Sequence, residues 1–146
     1  MRVLALDYGA ARCGCALSDP TGTLATPLDV VERPATKAGV RALRELVSAR
    51  DVDRVVVGLP LSLSGRDSDQ TREARGFADK LRSALGDAVP IDLYDERFTT
   101  AIAQRTGSPE AGAASAEDSR AAAVLLEDWL ARHGHEYRGN AAQGSR

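Results

Sequence analysis

The sequence predicts a single α/β domain built on a mixed five-stranded sheet, an antiparallel meander followed by two parallel strands, with helices flanking it. Three observations carry this reading. Short apolar runs up to Val31 are separated only by turn signals, helical apolar periodicity brackets the β-branched run Asp53–Pro60, and a last apolar run, Val89–Tyr94, leads into the acidic block Asp95-Glu96. Strands joined through helices must run parallel with right-handed crossovers, so the first strand lies centrally, between the meander and the crossover strands.

In order along the chain, Arg2–Asp7 reads as a buried strand that Gly9 breaks, and Cys13–Leu17 alternates small and apolar residues as a second strand returning beside it. Asp19–Gly22 is a turn signal. Thr23–Val31 is a third extended segment, and Pro27, lacking an N–H, suits an edge position. Pro34 opens a helix in which Val40, Leu43, Leu46 and Val47 recur at helical spacing to about Arg50. Asp53–Pro60 is a strand buried on both faces. A second helix follows, with Asp67 and Gln70 in a capping arrangement, an apolar stripe of Ala74, Phe77, Ala78, Leu81 and Leu85, and a stop at Gly86. After the strand Val89–Tyr94 come a short helix, a Gly/Ser/Ala/Pro-rich loop over Gly107–Ala116 and an apolar final helix from about Asp118 to Arg132. The domain is expected over 1–133, with 134–146 a disordered tail.

A chain of 146 residues with 43% hydrophobic content fits one core. The longest apolar stretches, around Val55–Val57 and Ala121–Leu126, are far short of the roughly 18 residues a membrane span needs, and no signal-peptide layout opens the chain, so the expectation is a cytoplasmic protein. Cys13 and Cys15 read as small buried hydrophobes, because i, i+2 residues of a strand stand too far apart for an unstrained disulfide. His133 and His135 have no other soft ligand nearby in sequence, which argues against zinc. The net charge of −2 is not the strongly basic balance expected of a high-affinity, non-specific nucleic-acid binder, although a local arginine face can coexist with it. Of the 19 basic residues only Lys37 and Lys80 are lysines, and arginine suits bidentate phosphate contacts.

Three acidic positions fall where one cleft could gather them: Asp7 ending the first strand, Glu96 following the last, and Asp118 opening the last helix. Singly, each has an ordinary reading, as a turn aspartate, a surface ion-pair member and a helix cap three residues after Ser115. An ionisable Asp7 closing the buried run Val3, Leu4, Leu6 is nevertheless costly unless partnered. Together, carboxylates held close repel one another, and hard divalent cations between them offset that repulsion, which implies Mg²⁺ or Mn²⁺. Two such ions can activate a water and stabilise the leaving oxygen of a phosphodiester.

The stretch Leu6-Asp7-Tyr8-Gly9-Ala10-Ala11-Arg12-Cys13-Gly14-Cys15-Ala16 resembles the opening D-[YF]-G-x-[KR]-x-G-x-A segment of the YqgF/RuvX family, with its basic residue slightly displaced. Val56-Val57-Gly58-Leu59-Pro60-Leu61, with Gly65, Phe77 and Ala78 beyond it, is similar to the family's second block. Asp95-Glu96-Arg97-Phe98-Thr99-Thr100 resembles the D-E-R-x-[ST]-[ST] block, and Asp118-Ser119 with Ala121, Ala122, Val124, Leu125 and Leu126 resembles the last. Four blocks in order cover most of residues 3–130. The resemblance implies an RNase H-like fold, a divalent-metal nuclease and a role in maturing the 5′ end of precursor 16S rRNA. Members are also described as Holliday junction resolvases by similarity to RuvC. Carried over by position, Asp7, Glu96 and Asp118 would be the metal-binding catalytic acids, and Arg12 and Arg97 candidate phosphate contacts.

The segment Gly107–Glu117 departs from the family in being short and without a basic residue. Phosphate contacts would then come from the region of Arg66, Arg72, Arg75, Lys80 and Arg82, which can equally be a solvated helix face. Two other functions stay open on the sequence: a resolvase cutting branched DNA, and a non-catalytic RNA-binding factor. Monomer and homodimer are both compatible with it.

Overall fold

The structure, a computed structural model, describes the backbone of residues 1–59, 69–95 and 111–144, and the side chains of these residues except 111–116 and 134–144. Five strands, β1 (Val3–Asp7), β2 (Arg12–Ser18), β3 (Ala25–Glu32), β4 (Arg54–Leu59) and β5 (Ile91–Asp95), form one sheet in the order β3-β2-β1-β4-β5. β1 pairs antiparallel with β2 and parallel with β4, while β2–β3 is antiparallel and β4–β5 parallel. This is the expected mixed sheet with β1 at its centre, the place where the direction of connection changes.

Local chemistry explains the meander. The Asp19 carboxylate accepts the Thr23 and Leu24 backbone N–H groups at 2.8 and 2.9 Å, and Gly22 takes φ +72°, which closes the turn between β2 and β3. Pro27 lies in β3, the edge strand, where a missing donor is tolerated. The β2–β3 register shifts between Cys13 and Cys15, so the irregularity falls at Gly14.

Helix α1 (Lys37–Ala49) starts three residues later than Pro34 suggests. Pro34 sits in the turn before it, and the Thr36 hydroxyl caps the helix by accepting the Gly39 N–H at 3.1 Å. Helix α2 (Asp69–Leu85) carries the expected stripe and ends against Gly86 at φ +71°. The Asp67 cap lies outside the described residues, as does the short helix expected after Arg97. Helix α3 (Ala111–Gly144) corrects one expectation. Residues 111–116, read as loop from their glycine and serine content, are helical, because Ala111, Ala113, Ala114 and Ala116 are strong helix formers and Gly112 is a single interruption. The same helix runs on through 134–144, where Gly134 and Gly139 are isolated, each costing only about 1 kcal/mol relative to alanine.

The two sheet faces bury two cores. Leu4, Leu6, Cys13, Cys15, Val55 and Val57 pack against Leu43 and Val47 of α1 and Phe77, Ala78 and Leu81 of α2. Val3, Ala5, Ala16, Val56 and Tyr94 pack against Ala122, Leu125, Leu126 and Trp129 of α3. Strand alternation thus produces three layers, with α1 and α2 on one face and α3 on the other. Cys13 and Cys15 are buried free thiols, as expected.

Candidate active site

Asp7 ends β1. Since Val3 and Ala5 belong to the α3-facing core and Leu4 and Leu6 to the opposite one, alternation directs Asp7 to the α3 side. Its cross-strand partner is Gly14. A Cβ on Gly14 would lie 2.0 Å from the carbonyl oxygen of Asp118, so the backbone of α3 descends onto β2 at that point. Glycine is what permits the approach. In this way Asp7 and Asp118, distant in sequence, are set on one face beside the same residue.

Asp118 lies about two turns inside α3, rather than at its start. The capping role suggested by its spacing from Ser115 therefore falls away. Its carboxylate instead accepts the Arg12 Nε–H at 2.9 Å, with each side chain 35% exposed. At that exposure an ion pair contributes roughly 0.2–1 kcal/mol, so the pair orients Asp118 more than it stabilises the fold. The next residue, Ser119, is 3% exposed and donates its hydroxyl to the Leu28 carbonyl at 2.5 Å, fixing the rotation of α3 over β3.

Cys13, the neighbour of Gly14 in β2 and buried in the opposite core, is also influenced by both carboxylates. Its hydrogen bond with Cys15, then burial, hold the thiol well above its usual range, and the Asp7 and Asp118 carboxylates both push in the same direction. The turn after Asp7 is held from the other face, where the Tyr8 ring stacks on Phe77 of α2 with centroids 4.8 Å apart. At the far side of β1, Tyr94 of β5 donates to Asp128 of α3, which Arg132 also contacts at 3.1 Å. Burial, followed by that hydrogen bond, raises the Tyr94 hydroxyl above its ordinary value. The end of β5 that leads into Glu96 is thereby pinned to α3.

Of the expected acids, Asp7 and Asp118 lie on the same face of the sheet, each beside Gly14, while Glu96 lies outside the described residues. Among the described residues no group of three His, Cys, Asp or Glu side chains is arranged to hold a metal ion. Arg12 is at the site; Arg66 and Arg97 are outside the described residues. Arg72 and Arg75 are on α2, which packs on the opposite face of the sheet. Arg72 is exposed and paired with Asp69, and Arg75 is half-buried and engaged. The sequence reading missed Gly14, Ser119 and the Tyr8–Phe77 stack. A glycine inside a strand was the available signal for the first, since it often marks a close backbone approach.

Asp7 and Asp118 present hard carboxylate oxygens, the donor type a divalent cation takes, on one face of the sheet, and in the structure the Asp118 carboxylate is paired with the Arg12 guanidinium.

A family model described as RuvX, Holliday junction resolvase, matches residues 1–132. A relative from Maridesulfovibrio salexigens, provisionally named a pre-16S rRNA nuclease, is 41% identical over 137 residues, covering 90% of this chain and 99% of the relative. One of the same name from Mycobacteroides abscessus is 43% identical over 135 residues, covering 88% and 80%. Among solved structures, RuvC from T. thermophilus in complex with a Holliday junction substrate superposes with a TM-score of 0.56 at 19% identity, covering 92% of this chain and 96% of that one, which shows a shared fold. With a family model spanning nearly the whole chain and relatives above 40% identity over most of it, the chain belongs to the RuvX family.

Proposed function

We propose that this protein is a nuclease that hydrolyses phosphodiester bonds with Mg²⁺ or Mn²⁺, and that its substrate is the 5′ region of precursor 16S rRNA, in the cytoplasm. The observation that carries the reading is the seating of Asp118 on Gly14, the strand partner of Asp7, which sets two carboxylates of distant sequence on one face. The names of the relatives supply the substrate class.

In this reading Asp7, Asp118 and Glu96 hold the cations, within a nuclease domain over 1–133. When bound, the ions supply an activated water and charge stabilisation for the leaving oxygen. The protein's own part is preorganisation. β1 fixes Asp7 by its ladder, Gly14 and Ser119 fix the height and rotation of Asp118, and the pinned end of β5 leads into Glu96. Arg12 holds the Asp118 carboxylate and stands ready to meet a substrate phosphate. Arg97, Arg66, Arg72 and Arg75 remain candidate phosphate contacts.

The family description favours a second reading, cleavage of a four-way DNA junction. Incubation with Mn²⁺ and either a labelled single-stranded precursor-rRNA fragment or a four-way junction separates the two. Faster cleavage of the RNA is expected, and the reverse preference would assign the protein to junctions. If Asp7→Asn leaves cellular rRNA maturation intact while abolishing metal binding, the protein acts as a non-catalytic RNA-binding factor instead.

A further inference from the structure

We propose that the groove between α1 and α2 is a second contact surface for the substrate strand, taking the phosphate backbone of single-stranded RNA without regard to sequence. The inference rests on the nuclease reading above and extends it to the opposite face of the sheet. The groove has a volume of about 480 Å³ and is lined by Lys37, Arg41, Arg44 and Lys80 over an apolar floor that includes Val40 and Ala84. Among the described residues no carboxylate lines it. All four cations are exposed.

The contrast with other helix surfaces gives the groove its meaning. Arg72 with Asp69, Arg82 with Asp79 and Arg132 with Asp128 are each neutralised within about one turn of their own helix. Lys37, Arg41 and Arg44 form no ion pair among the described residues, and Lys80 spans the groove to the Ala35 carbonyl at 3.3 Å. A chain of net charge −2 thus keeps, among the described residues, a cluster of cations with no carboxylate partner in a concave site. Lys37, Arg41 and Arg44 stand at i, i+4 and i+7, on one face of α1 over roughly 10 Å. The first turn of α1 carries no acidic side chain to oppose an anion.

A short stretch of backbone links the groove to the end of the sheet that carries Arg12. Arg12, which holds Asp118, is the strand partner of Glu32, and the Arg33 N–H donates to the Ala11 carbonyl at 2.9 Å. Ala35 and Thr36 of the groove follow closely on Arg33. Among the described residues no aromatic side chain lines the groove, so it offers charge for phosphates and no platform for stacking bases.

The test is binding of a 5′-labelled oligouridine of about 20 nucleotides to the full chain by fluorescence anisotropy, in EDTA, between about 50 and 200 mM KCl. The triple variant Lys37→Gln/Arg41→Gln/Arg44→Gln should bind about tenfold or more weakly, and its dependence of log K on log salt should flatten by roughly 2, at about 0.7 for each phosphate no longer neutralised. Lys37→Arg/Arg41→Lys/Arg44→Lys, which keeps the charges, should restore both; a triple variant that unfolds is thereby told apart from one that merely loses its cations. Unchanged affinity and slope in the folded triple variant overturn the inference. So does tighter binding of polyglutamate than of the oligouridine, which would make the groove a site for an acidic protein. Wild-type cleavage of RNA with Mn²⁺ is scored separately. If cleavage is present and the variant binds normally, the groove fails alone; if RNA binding depends on the groove and no cleavage occurs, the nuclease reading fails alone.

Discussion

The carbonyl oxygen of Asp118 lies so close over Gly14 that a Cβ at Gly14 would stand 2.0 Å from it. The approach is of backbone to backbone, so neither side can swing away as a side chain would. Gly14→Ala must therefore lift α3 at its Asp118 turn or distort β2 beside Asp7. Overpacking of this kind costs about 1–3 kcal/mol, measurable as a lower urea midpoint. Because the displaced residue is Asp118 itself, cleavage should fall further than the unfolded fraction accounts for. A Gly14→Ala protein with wild-type activity would show that this approach does not position the site.

In the proposed nuclease reading, a metal ion at Asp118 would have to compete with Arg12 for the same carboxylate. Replacing Arg12 with Gln should change stability by less than about 1 kcal/mol, as expected for a pair whose partners are each 35% exposed. Titration calorimetry without substrate should show Mn²⁺ binding tightened by about threefold to fivefold, since the cation no longer displaces a guanidinium. The turnover number should nevertheless fall, because the substrate phosphate then has no guanidinium to meet at this position. Weaker Mn²⁺ binding in Arg12→Gln would mean instead that the arginine holds Asp118 in its ligating orientation.

Asp7→Asn preserves shape and removes one charge from a corner where two carboxylates are gathered. Stability should change little, because the amide keeps the shape and hydrogen-bonding capacity of the carboxylate. Mn²⁺ affinity and cleavage should each drop by on the order of a hundredfold or more, since even partners outside the immediate ligand set typically cost about 10–100-fold. Calorimetry and a cleavage assay read the two losses independently.

Asp19 supplies a pH signature distinct from the site. Hydrogen bonds from the Leu24 N–H, the Thr21 hydroxyl and the Thr23 N–H hold its carboxyl well below the ordinary value of 3.8. A carboxyl depressed in the folded state contributes stability above its unfolded value and loses it as the pH falls towards the folded one. Urea midpoints should therefore decline more steeply for the wild type than for Asp19→Asn as the pH is lowered below about 3.8. Parallel declines would show that the turn does not depend on the charge.

Much of the architecture was legible in the chain because it rests on local chemistry. Alternation of Val3, Leu4, Ala5 and Leu6, the turn at Asp19 and the stripe from Ala74 to Leu85 are short-range patterns, and right-handed crossovers then leave few ways to assemble five strands. Boundaries followed less well. Composition suggested a loop at 111–116 where alanine favours helix, and Pro34 pointed to a helix start that Thr36 in fact provides. At the candidate site, residue types and block order pointed to Asp7, Glu96 and Asp118, but spacing alone misassigned Asp118 to a helix cap.

The sequence by itself determined the mixed sheet, the central first strand and which carboxylates to examine, because periodicity, turn residues and motif order are properties of neighbouring positions. Only the tertiary structure decided that Gly14 seats the helix bearing Asp118, that Arg12 balances it, and that four cations of α1 and α2 share one groove. Those relationships join residues far apart along the chain, and they exist only once packing of α3 and the α1–α2 pair on opposite faces of the sheet has fixed which distant side chains meet.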